Sequence, residues 1–209
     1  MKFVTWVFTF LLLHTCWGPA RAQNNVATAH RSNTQIIDFL LGLQEKTVVD
    51  VAEAMPEERY GFVPGGEFKG EFRGVRTFAA QLKHIAADNY MLGAAILGEK
   101  SPGDTGPEES GSSKVRTKAE IIAYLKASFA YMHRAAAAID DANAPVATPD
   151  ISPWPDGTAT RLGLGIEDLV HTYDHYGQLV EYLRMSGIVP PASTPKSKTD
   201  APNSKIGIV

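Results

Sequence analysis

The chain has 209 residues, a formal net charge of -3, 44% hydrophobic residues and one cysteine. Mild acidity without a basic patch or stripe excludes nucleic acid as a partner. The length suits one domain with a real core, and a lone cysteine leaves no disulfide framework.

Residues 1–22 read as a processing signal. Lys2 gives a positive start, and Phe3 to Leu13 is an apolar run too short for a comfortable membrane span. Ala20-Arg21-Ala22 is a small-x-small cleavage site before Gln23. The expectation is an exported protein, periplasmic or extracellular, with no stable membrane insertion after cleavage. Leu13-His14-Thr15 places no small residue directly before Cys16, so a lipobox is not expected. Cleavage removes Lys2, Arg21 and Cys16, leaving 187 residues, a charge of -5 and no thiol nucleophile. Uncleaved, the segment would act as an N-terminal anchor.

A first helix is expected from about Asn33, with Ser32 or Asn33 as its N-cap. Ile36, Ile37, Leu40, Leu41, Val48, Val51 and Met55 form its stripe, no polar residue on it suggests a chemical role, and Pro56 ends it. Residues 56–73 read as a loop whose Tyr60, Phe62, Phe68 and Phe72 pack over one end of a bundle. The second helix is expected from Gly74 to Leu97, with Phe78, Leu82, Ile85, Leu92 and Ile96 as its core stripe.

Ser101 to Ser113 is rich in Gly, Pro, Ser and Glu, a mobile connection. Thr117-Lys118-Ala119-Glu120 is a capping box opening the third helix. Ile121, Leu125, Phe129, Met132, Ala136 and Ile139 form its core face, with His133 just off it and partly exposed. Four prolines around Trp154 make residues 143–157 stiff and extended. The last helix ends at Gly187, followed by Pro190-Pro191, and residues 192–209 are expected to be a disordered tail. Four helices joined by reversing connections make an all-α four-helix bundle the natural fold, over residues 23–191.

The chemistry concentrates on the last helix. His171 and His175 are four apart, hence on one face, and neutral imidazole is the commonest metal ligand among side chains. A zincin site is excluded because Thr172, not Glu, follows the first histidine. A ferritin-like di-iron site is excluded because no Glu-x-x-His motif occurs here; Glu167 is four residues before His171. His84 lies beside the second helix's core stripe among Ala80, Ala87 and Met91, with room for a metal or ligand. A lone buried histidine with one hydrogen-bond partner is the alternative. It meets His171 and His175 only if the second and fourth helices are neighbours. Asp88, Glu167 and Asp174 are the nearest carboxylates, expected to orient histidines or face water rather than bind metal.

The order of parts resembles the DinB-like superfamily of four-helix-bundle metalloproteins. Residues 76–86, through His84, are similar to its second-helix segment, and residues 171–191 to its closing signature. The resemblance covers roughly residues 33–192. It implies an up-down-down-up helix order, frequent homodimers, and one divalent ion held by three histidines that match His84, His171 and His175. Zinc, nickel and iron all suit imidazole. Three protein ligands leave a position open, as in catalytic sites. Some relatives are metal-dependent thiol transferases or isomerases using a small thiol. A protein outside the cytoplasm meets little reduced thiol, which sets this chain apart from them. The expected function is a metal-dependent enzyme acting on a small molecule by hydrolysis or group transfer. The alternative is a non-catalytic, stress-related envelope protein whose metal is structural.

Overall fold

The computed structural model describes residues 31–65, 74–149, 151 and 157–194. Among them the chain forms four helices: α1 (Asn33–Ala54), α2 (Phe78–Leu97), α3 (Lys118–Ala137) and α4 (Arg161–Met185). No strand occurs among the described residues, only an isolated bridge between Ala147 and Thr160. The all-α four-helix expectation holds.

The helix ends follow from their capping residues. Ser32 and Gln35 form a reciprocal capping box at α1, as Thr117 and Glu120 do at α3. Met55 is extended ahead of Pro56, which stops α1. The second helix begins later than the apolar pattern suggested. Thr77 is its N-cap, accepting from the Ala80 N–H at 3.1 Å, and Gly74 before it sits at φ +86°. At the far end of α4, Gly187 has φ +74° and the Ile188 N–H returns to the Leu183 carbonyl at 2.9 Å.

Side-chain pairings fix the helix directions. Asn89 meets Ser128 and Glu99 meets Arg134, so α2 and α3 run parallel. Asp38 and Glu53 on α1 meet His133 and Lys126 on α3, so that pair is antiparallel. Ile37 lies against Gly165, and Gln44 bonds the carbonyls of Asp168 and Leu169, so α1 and α4 are parallel. Gln81 bonds Gln178 while Asp88 approaches His171, so α2 and α4 are antiparallel neighbours. The order is up-down-down-up.

The core joins all four helices. Leu41, Met55, Phe78, Leu82, Leu125, Phe129, Met132 and Leu164 are fully buried, and each such side chain contributes about 1.5–3 kcal/mol over an exposed one. Tyr60 packs edge-on to Phe78, with ring centroids 5.3 Å apart, and Phe62 likewise meets Tyr182 at 5.5 Å. These two aromatics close one end of the bundle, as expected. Phe68, Phe72, Trp154, the predicted signal peptide and residues 195–209 lie outside the described residues. Pro191–Ser193, where the predicted tail begins, forms a 3-10 turn.

Two features were not anticipated. Gln44, on the supposedly plain α1, is completely buried and ties that helix to the α4 backbone. On the outside, α1 exposes Ile36, Leu40 and Leu43, and α4 exposes Ile166, Val170 and Tyr173, each set at i, i+4, i+7 spacing. The first stripe lies on the side of α1 away from Asp38 and Glu45, which face α3. Both stripes therefore flank the α1–α4 seam. No described helix is long and apolar enough to cross a membrane.

Candidate metal centre

Because α2 and α4 are antiparallel neighbours, one turn of each suffices to bring the three imidazoles together. The ring centroids of His84, His171 and His175 are 4.6–5.1 Å apart, in edge-to-face pairs. His171 Nε2 and His175 Nε2 face each other at 2.9 Å. Two bare lone pairs would repel at that distance, so they share a proton or a cation. His84 is anchored from behind: its Nδ1 lies 2.9 Å from the Glu109 carbonyl, which can only accept. The proton therefore sits on Nδ1, and Nε2 carries the lone pair.

That lone pair looks at Asp88. This carboxylate, one turn along α2, is 2% exposed, with Oδ2 3.2 Å from His84 Nε2 and 2.9 Å from His171 Nδ1. The His171 approach is an ion-pair distance. Both carboxylate oxygens are left without a hydrogen bond. A buried carboxylate among imidazoles and short of donors is chemically short of a cation. One donor atom each from His84, Asp88, His171 and His175 lies within 4.8 Å of all the others, a group that could hold a metal ion. The donor set fits such an ion on its own chemistry.

Electrostatics keep two of the three rings ready to bind. Burial, then the charges of His171, His84 and Arg76, push His175 down to about 3. Burial lowers His84 as well, against the pull of Asp88. Both are neutral at pH 7, the form a metal requires. His171 is raised by the Asp88 carboxylate beside it.

The other sequence candidates divide clearly. His133 stands apart, between Asp38 Oδ1 at 2.6 Å and Glu45 Oε2 at 3.3 Å, partly exposed as expected. Asp174 is exposed and accepts from Gln178 at 2.9 Å. Glu167 is half-buried and acts on His171 only through its charge. Asp88 is no solvated acid but the buried centre of the cluster.

The segment between α2 and α3 is more than a connection. It runs back along α2 and forms a wall of the site. At its turn, Glu108 (φ 49°, ψ 39°) and Glu109 (φ 57°) are both left-handed without being glycine, a conformation costing about 1–3 kcal/mol each. The strain sits on the carbonyl that holds His84. Gly111 lets the segment come this close: at φ +73°, a Cβ there would lie 2.8 Å from the Lys83 carbonyl oxygen.

A cavity of about 770 Å³ opens between this wall and the start of α2, and His175 is the member of the cluster that lines it. Arg76, Gln81 and Gln178 line it. Behind the cluster lies a buried acid the sequence did not single out. Asp168 is 1% exposed and is pushed up to about 7 by burial, then by the charge of Asp88. Oriented to satisfy both ends, the Asn89 amide donates to Asp168 Oδ1 at 2.9 Å and accepts from Ser128 Oγ at 3.0 Å. Asp168 Oδ2 has no partner. The signal was available, because Asp168 interrupts the apolar stripe that runs through Leu164 and Leu179.

No curated protein sequence matches the chain significantly. The model of the DinB superfamily matches residues 41–179, more than half of its length. That span includes His84, Asp88, His171 and His175, carried on the α2–α4 pair of an up-down-down-up bundle, and by this match the chain belongs to the DinB superfamily.

Proposed function

We propose that this protein is an exported, metal-dependent enzyme acting on a small molecule by hydrolysis or group transfer. His84, His171 and His175 hold one divalent ion, zinc, nickel or iron, through their Nε2 atoms. One observation carries the reading: His175, a member of the donor cluster, lines an open cavity of about 770 Å³. A metal kept only for stability needs no such approach. When bound, the ion would supply Lewis acidity beside that cavity. The chain supplies the rest. The Glu109 carbonyl fixes the His84 tautomer, and Asp88 stands behind His171 Nδ1. Burial keeps His84 and His175 unprotonated.

A second reading rests on Asp88. Its carboxylate lies within the same 4.8 Å group, so it could close the coordination shell and make the metal structural. Cobalt substitution separates the two. With three histidines and an open position, the cobalt absorption bands move when azide or a small thiol is added. Bands unmoved by every added ligand would remove catalysis and leave the structural reading. Metal content tests the ligands themselves: His171→Ala and His175→Ala lose most of the ion, and His133→Ala retains it. Equal metal content in all three refutes the assignment.

Two further parts belong to this proposal. Export follows from the charged start, apolar run and Ala20-Arg21-Ala22. A second copy of the chain covers the two apolar stripes flanking the α1–α4 seam. A two-fold axis there makes the apolar patch its own partner.

A further inference from the structure

We infer that the segment between α2 and α3 is a metal-responsive wall: it is held against the cluster while an ion sits on His84 Nε2, and is released when that nitrogen takes the ring proton instead. This rests on the metal reading above for what occupies Nε2.

The wall has two fixed roots. Gly103 lies against the Tyr90 ring, and the Tyr124 hydroxyl donates to the Asp104 carbonyl at 2.7 Å. At the other root, Gly111 lies against the Lys83 backbone. Between the roots the hydrogen bonds stay inside the segment. The Gly106 N–H donates to Asp104 Oδ1 at 3.1 Å, the Ser110 N–H to Pro107 O at 3.1 Å, and the Gly111 N–H to Thr105 O at 2.8 Å. Among the described residues, one bond ties this turn to the helices: the Glu109 carbonyl on His84 Nδ1. The turn it holds is the strained one, with Glu108 and Glu109 both left-handed. Two such residues cost at least as much as one neutral hydrogen bond returns, so loss of the bond lets the turn relax.

That bond depends on a single proton. A neutral His84 carries one N–H, and two acceptors compete for it. On Nδ1 it serves Glu109. On Nε2 it lies 3.2 Å from the Asp88 carboxylate. The second arrangement leaves a bare Nδ1 facing the Glu109 oxygen at 2.9 Å, lone pair against lone pair, and the turn is pushed off. An ion on Nε2 removes the choice and keeps the proton on Nδ1. Burial lowers His84, so at pH 7 the ring does not carry both protons. Metal binding and wall closure are thus one equilibrium, and each favours the other by the same factor. Pro107, Glu108 and Ser110 line the cavity, so its wall is complete only around a loaded ion.

Amide exchange followed by NMR on the full chain tests this, in zinc and in excess chelator, once zinc stoichiometry has been measured. Zinc should slow the Ser110 and Gly111 amides about tenfold. It should leave Ala142 and Asn143, bonded to Asp140 in another turn, unchanged. Asp88→Asn keeps the shape and offers the Nε2 lone pair an N–H, which holds the proton on Nδ1. In chelator it should slow Ser110 and Gly111, where loss of a merely structural acid would speed them or change nothing. Nitrogen shifts of the histidine rings read the proton directly: in chelator, wild-type His84 should carry it on Nε2 for part of the time. Equal exchange with and without zinc, in a protein that holds zinc, overturns the inference and leaves the metal reading intact. A His84 proton wholly on Nδ1 in chelator overturns it as well, as does exchange in Asp88→Asn no slower than in wild type. A protein that takes up no zinc removes the metal reading and this inference together.

Discussion

Asp168 makes folding stability pH-dependent in a direction opposite to an ordinary carboxylate. Its folded value is about 7 against an ordinary 3.8, so between those limits the native state holds the proton and the unfolded chain does not. Stability from this group is present at low pH and is lost as pH rises through about 7. Linkage gives a penalty of about 4 kcal/mol at pH 8 and under about 2 kcal/mol at pH 5. Asp168→Asn removes the titration at nearly constant shape, and the Asn89 amide beside it can turn to answer the new group. The variant should therefore gain on wild type by about 2–3 kcal/mol between pH 5 and pH 8. For a chain of this size that is roughly 5–10 °C in melting temperature. Urea unfolding of both proteins in excess chelator, at four pH values, measures the gap. Groups common to both, such as His175 with its depressed value, cancel in the difference. A gap that stays constant from pH 5 to 8, or a variant less stable at pH 8, refutes the reasoning.

Gly111→Ala should cost about 1–3 kcal/mol and release metal faster to a chelator, because it moves the wall that holds His84. Gly98→Ala, also at positive φ but with open space around its Cβ, should cost stability and leave metal release unchanged; identical release from both would refute the role of the wall. Sedimentation should show a dimer for wild type and a monomer for Val170→Asp, which puts a charge in the exposed α4 stripe; a monomeric wild type ends the pairing proposal. Intact mass of exported protein should begin at Gln23, and a soluble product retaining Met1 would contradict export.

What could be read from the sequence was whatever side-chain spacing records. The i, i+4 pair His171 and His175, the Thr117–Glu120 box and the stop at Pro56 are local patterns, and the structure has each where local rules place it. His84 joined them only once its helix was known to lie beside α4. Asp88 was visible as one turn from His84, but its burial is a property of the α2–α4 interface and no single-helix pattern holds it. Asp168 and Gln44 were legible and passed over: each is a polar residue inside an apolar stripe. The Glu109 carbonyl has no side-chain signature at all. Only the glycines around it hint that backbone comes close there. The later start of α2 reflects a hydroxyl at Thr77 outweighing apolar periodicity.

Parallel pairing of α2 and α3 has a consequence for how such a site changes over time. A 20-residue helix is about 30 Å long, so the chain leaving α2 must travel that distance back before α3 can begin. About nine extended residues would cover it. The segment has twenty, from 98 to 117. Roughly half of it is thus surplus to topology, and that surplus builds the turn at Glu108 and Glu109 and one side of the cavity. Insertions or deletions there would reshape what the cavity admits while leaving the helix–helix contacts in place. A protease cut there would detach the wall and leave four paired helices standing. The shape of the cavity and the pairing of the four helices are then written in different stretches of one chain, joined where the Glu109 carbonyl meets His84.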